Sequence, residues 1–228
     1  MGIEVYFIER PVNDTLAGPT LWKSLNQAGG TLSNRGNLEK AGIQFGIAPS
    51  TPPFALQALL DPARSKGTAS QTKQQTFAIP AGESTIIQAA YLADPRVIPS
   101  ANKSRPDPIP VPDAHCRFSM SAERIQDGWV RLNFQPEIHY GTERIRPFAT
   151  PSEFRLQKMK NVEPYYDQSF SVEVNTGEYV VIGFTGDNSS SLGGLFFRYG
   201  DAQTRSGRLM VVRVAGMQQV NAVRSDFH

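Results

Sequence analysis

The second half of this 228-residue chain alternates apolar and polar side chains one for one, a pattern that admits little besides β-structure. Phe118, Met120 and Ala122 fall on one side, and Val130, Leu132 and Phe134 alternate with Arg131 and Asn133. Phe170, Val172 and Val174 oppose Ser171, Glu173 and Asn175 in the same way. Successive side chains of a strand point to opposite faces, so each run predicts one packed wall and one wet wall. Asp127-Gly128 is a hairpin signal between the first two runs. Tyr140 to Pro151 reads as a second turn region, with Phe154 and Leu156 opening the next strand. Tyr179 to Phe184 (YVVIGF) is apolar throughout, which suits a strand covered on both faces. From Cys116 onward the expectation is an antiparallel β-meander.

The first 61 residues read differently. Ile3 to Glu9 predicts a strand ended by Pro11. Leu16 to Ala28 places Leu21, Trp22 and Leu25 at helical spacing and stops at Gly29-Gly30. Asn34 to Lys40 predicts a short second helix, and Ile43 to Ala48 a strand expected to pair with the first. Thr51-Pro52 reads as N-cap and first turn of a helix running through Leu60. Residues 1–61 therefore read as a small α/β domain. Residues 62–115 read as a polar, proline-rich linker or strap with a strand near 84–90. Its six prolines at 95, 99, 106, 108, 110 and 112 force extended backbone. A β-rich domain over 116–217 and a tail over 218–228 complete an α+β chain.

Composition narrows the function classes. With 23 basic and 21 acidic side chains the net charge is +2, which gives no global pull toward nucleic acid or anionic lipid. The single cysteine, Cys116, excludes an intramolecular disulfide and reads as a small buried hydrophobe. No apolar run reaches the length of a membrane-spanning helix. The opening MGIEVYFIERP has neither a basic region nor a cleavage site and reads as a strand, so an exported protein would be a processed chain.

Catalytic chemistry has few candidates. Glu137-x-His139 would share one strand face, where a carboxylate beside an imidazole can bind metal or move a proton. Zinc needs three or four ligands and no second cluster is evident, so an outward polar pair is the reading adopted. Asp113-x-His115-Cys116 superficially offers orienter, base and nucleophile, but adjacent residues of an extended chain point apart. His228 ends the chain, and no nucleophile-elbow, phosphate-loop, dinucleotide or metalloprotease motif occurs. No catalytic, cofactor-binding or metal-binding residue is assigned, no cofactor is expected, and the chain does not read as an enzyme. Phe196, Phe197, Arg198, Tyr199, Arg205, Arg208 and Arg213 could together stack and pair with nucleic acid. The adjacent phenylalanines fit a core plug or subunit contact better, so neither nucleic acid nor a small-molecule substrate is expected.

Three segments carry a family pattern: Val174-Asn-Thr-Gly177-Glu-Tyr-Val180-Val181-Ile182-Gly183, Leu192-Gly193-Gly194-Leu195-Phe196-Phe197, and Leu209 to Val214. With Trp129 to Ile138 ahead of them, they resemble the carboxy-terminal domain of the secretins, ring-forming channels of bacterial outer membranes. The resemblance covers roughly Cys116 to Met217. It implies a structural, non-catalytic subunit that pairs its strands with copies of itself in a ring or pore. The amino-terminal α/β domain would be a ring-building collar. Leu192, Gly193, Gly194, Leu195, Phe196 and Phe197 would be packing and subunit-contact residues, and Asn175 and Gly177 would make the turn of a strand pair. The implied partners are the chain itself and outer-membrane lipid, in the bacterial outer membrane or periplasm, with the cytoplasm as the alternative location. The rival reading is a soluble β-rich binding or adaptor module, or a peripheral subunit of a larger envelope or capsid assembly.

Overall fold

Both ends of the chain enter one sheet. The computed structural model describes residues 1–27, 35–61, 71–80, 82–101, 107–149, 154–199 and 206–217. Strand β1 (Gly2–Pro11) lies between β13 (Ser206–Gly216) and β3 (Gln71–Ala78). On the far side of β13 come β11 (Tyr179–Phe184) and then β2 (Ile43–Ala48) at the edge, while β12 (Arg198–Tyr199) extends β13's flank. Every ladder among the described strands is antiparallel.

The alternation of these strands dictates two apolar faces for this first sheet. Ile8, Ala48, Tyr179, Val181, Leu209 and Val211 point outward and are covered by α1 (Pro19–Ser24) and α3 (Phe54–Leu60). Ile3, Val5, Phe45, Val180, Ile182, Met210 and Val212 point inward to the central core.

The second sheet meets that inward face. It runs β10 (Phe170–Asn175), β8 (Trp129–Ala149), β7 (Ala114–Gln126), β4 (Ser84–Leu92), and β9 (Phe154–Pro164) joins β8 on the same flank as β10. Cys116, Phe118, Met120, Val130, Leu132, Phe134, Ile138, Phe170 and Val172 supply its half of the core. Phe118 packs on Phe196 at 5.0 Å between ring centroids, and Phe170 stacks on both Phe45 at 4.8 Å and Phe134 at 5.0 Å. Each fully buried phenylalanine contributes about 1.5–3 kcal/mol of transfer free energy; the Phe45–Phe170 stack ties the two sheets together, and Phe118–Phe196 ties the second sheet to the helix that follows β11. Short helix α4 (Leu192–Phe197) plugs one end, α2 (Arg35–Lys40) packs through Leu38, and β5 (Arg96–Ile98) pairs with β6 (Ile109–Val111) in a small ribbon within the proline-rich strap.

The β-rich α+β class is thus observed, but several finer expectations change. The cut at residue 61 does not divide the fold, because β1 and β2 hydrogen-bond to strands from the other end of the chain. Nor do β1 and β2 pair with each other, since β13 and β11 lie between them. The first helix spans only Pro19–Ser24, and the third is capped at Pro53 without a side-chain bond, not at Thr51. The turn expected at Tyr140 to Pro151 is instead the continuation of β8 to Ala149. The tail over 218–228 lies outside the described residues.

Candidate functional site

The Leu192 to Phe197 segment folds as α4, with the Ser191 hydroxyl accepting the Gly194 N–H at 3.2 Å. Leu192, Gly193, Gly194, Leu195, Phe196 and Phe197 are all buried within this chain. The glycine pair is there for close approach: a Cβ on Gly193 would overlap the Gly42 carbonyl, and one on Gly194 the Ser189 carbonyl. These six residues pack, but no exposed side chain among them is left to touch another subunit. The expectation of assembly through Val172 to Val214 also meets an obstacle. Both edges of β11 and of β13 are paired inside the chain, and both faces are covered. Asn175 and Gly177, at φ 92°, form the turn between β10 and β11, with the Gly177 N–H on the Val214 carbonyl.

The nucleic-acid candidates hold the chain to itself. Phe196 and Phe197 are in the core. The Arg198 guanidinium lies 4.3 Å over Phe184. Arg208 stacks on Tyr199 at 4.2 Å and pairs with Glu9, while Arg213 reaches Glu4 at 3.3 Å. Arg205 and His228 lie outside the described residues.

The open face of the second sheet gathers the chemistry. Its outward residues form polar ladders across β7, β8 and β10. Ser171 donates to Asn133 at 2.7 Å, Asn133 donates to Ser121 at 3.1 Å, and Arg131 meets Glu173 at 2.7 Å. Among the described residues no layer covers this face.

At its upper end the register assembles the two histidine motifs. His115 stands directly opposite His139, Arg117 opposite Glu137, and Tyr91 of β4 opposite His115. His139 Nε2 is 2.8 Å from the Glu137 carboxylate, and an Arg117 NH lies 3.4 Å from its Nδ1. The Arg117 donor requires a lone pair on Nδ1 and so sets the proton on Nε2, where Glu137 accepts it. His115 Nδ1 faces the Gln88 side-chain oxygen at 3.3 Å, and its Nε2 lies 3.7 Å from Asp113. Burial first, then the Lys160 and Arg117 cations, holds the His115 pKa below the usual 6.5. Asp113 is clamped by Lys160 from β9 and takes a hydrogen bond from Tyr91, and these bonds lower its pKa. It is also the one described non-glycine residue in the left-handed region, at φ 49°, a conformation Asp tolerates better than most.

Cys116 takes no part. It points to the core with its Sγ 3.6 Å from the Leu195 carbonyl, and burial pushes its pKa up to about 12. The expected divergence of His115 and Cys116 is what the strand produces. Among the described residues no group of three or more His, Cys, Asp and Glu side chains could hold a metal ion. The sequence reading missed Arg117, Lys160, Tyr91 and Gln88, whose only signal is their register opposite the histidines.

A cleft of about 750 Å³ opens between the proline strap and α4, lined by Arg96, Val97, Pro99, Pro108, Asp187 and Tyr199 among others. Its size suits a ligand, but none of its lining residues is a histidine or cysteine.

The cluster lies where β8 and β9 leave the sheet. The described β7–β8 pairing ends at His115–His139. Beyond it β8 pairs only with β9, from Tyr140–Asn161 out to Ala149–Phe154. From Arg144 onward the pair is a two-stranded ribbon, with both outer edges unpaired among the described residues. Ile145, on this ribbon, is 65% exposed.

No protein-family model matches the sequence, and no curated protein is significantly similar to it. Among the described residues no helix is long and apolar enough to cross a membrane.

Proposed function

We propose that the chain is a structural, non-catalytic subunit that joins copies of itself by strand pairing through the β8–β9 ribbon. The observation that carries this reading is the ribbon's extension beyond the sheet with two edges unpaired among the described residues and an exposed isoleucine. A two-stranded ribbon is marginal in water, and unpaired N–H and C=O rows are templates for a further strand. A second copy brings the same edges and can satisfy them symmetrically. In its most specific form the proposal keeps the secretin-like ring in the bacterial cell envelope, with outer-membrane lipid as a second contact. There α1 and α3 take the ring-building place as part of the same unit, not as a separate collar. The described strands form no closed barrel, so a pore wall would have to be completed by copies.

Sedimentation of the intact chain tests this beside a variant in which Thr142 to Lys158 is replaced by Asn-Gly, which keeps the pairing at the ribbon's base. The proposal expects an oligomer from the intact chain and a folded monomer from the variant. A monomeric intact chain at high protein concentration would overturn it. Negatively stained images with a central opening would support the ring form.

A further inference from the structure

The histidine cluster and the ribbon share one piece of backbone. On the open face the side chains form three cross-strand rows. The first holds Arg117 and Glu137; the second holds Tyr91, His115, His139 and Val162. In the third, Lys160 on β9 reaches Asp113 across Gly141 of β8, whose N–H bonds the Pro112 carbonyl. Gly141 adopts φ 75°, in the left-handed region that favours glycine. The Lys160–Asp113 pair is the last described tie between β9 and the β7 side before the ribbon departs.

His115 sits one row below that tie, with Nε2 aimed at the same carboxylate. With its proton on Nδ1 toward Gln88, Nε2 presents a lone pair to Asp113. A second proton turns Nε2 into a charged donor, which attracts Asp113 and repels Lys160. The other groups facing His115 are Tyr91 and Gln88 from β4, Arg117 from β7, and His139 with Glu137 from β8. Arg117 adds to the repulsion, and Glu137 is already held by His139.

We propose that this cluster is an acid-sensitive latch at the root of the ribbon: protonation of His115 draws Asp113 away from Lys160 and loosens β8 and β9 where they leave the sheet. The inference deepens the assembly reading, on which its biological consequence rests, by giving the ribbon a control. Neutral His115 leaves the root clamped, and acid frees it to change direction.

Amide hydrogen exchange on the intact chain tests the latch at a dilution where it is monomeric. The readout is the protection of amides in 142–145 and 158–161 relative to those in 118–122, corrected for intrinsic rates. The expected result is a fall of about two- to five-fold in that ratio, the size of losing one half-exposed ion pair, as pH drops through the histidine range. His115→Gln should keep the high ratio at acid pH, and Lys160→Met should show the low ratio already at neutral pH with the 118–122 amides still protected. A pH-independent ratio in the wild type, or an equal fall in His115→Gln, overturns the latch. Failure of assembly would appear instead in the sedimentation experiment and leaves this readout unaffected.

Discussion

The two sheets are built from the same alternating strands yet end in opposite situations. The first is closed: its inner face packs on the second sheet, its outer face lies under α1 and α3, and its central strands come from opposite ends of the chain. The second is open: one face is core, the other a polar surface, and its longest strand runs past its neighbours into a two-stranded ribbon. The difference teaches where to look for function. Strands satisfied on both edges and both faces have nothing left to offer a partner. The residues that first suggest assembly, Val172 to Val214, include two such strands, β11 and β13.

Phe118→Ala removes a ring that meets Phe134 of its own sheet and Phe196 and Phe197 of α4. It should cost about 3–5 kcal/mol in denaturant unfolding. A loss under about 1 kcal/mol would mean that the packing of α4 on the second sheet is not a main support of the core. On the open face, Asn133→Ala cuts the ladder from Ser121 to Ser171 and should cost only about 1 kcal/mol, with no change in oligomer mass. A core-sized loss there would show that the polar face is structurally essential.

The smallest expected effect is on pH dependence. The folded-state pKa of His115 is depressed, so in the window below about 6.5 the unfolded chain binds a proton that the folded chain refuses. Stability therefore falls as pH drops from that value toward the folded-state pKa, and the loss is complete below it. Thermal melts of wild type and His115→Gln should diverge in that window and run parallel above it. Parallel curves throughout would remove His115 from the account.

Much of the framework is legible in the sequence because alternation is local. Phe118, Met120 and Ala122, or Phe170, Val172 and Val174, announce their faces without knowledge of partners. YVVIGF announces a two-sided strand, which β11 is. What alternation cannot give is which strands meet: β1 pairs with β13 some two hundred residues away, and nothing local in either marks the other. The histidine cluster was hidden for a sharper reason. Counting outward from a two-residue turn at Asp127-Gly128 sets His139 opposite Cys116, on the wrong face. A one-residue bulge between Arg124 and Gln126 moves it opposite His115 and brings Arg117 to Glu137. A single bulge decides whether four charged and titratable groups meet or miss.

The central claim is that copies meet at the ribbon and not elsewhere on the open sheet. Cys116, buried and with its pKa raised to about 12, is poorly reactive, so introduced thiols can be read alone. Ile145→Cys on the ribbon and Ser119→Cys on the open face should be oxidised at equal protein concentration and compared by non-reducing electrophoresis. The account expects covalent dimers from Ile145→Cys and essentially none from Ser119→Cys; no dimer from the ribbon position, or equal yields from both, would contradict it.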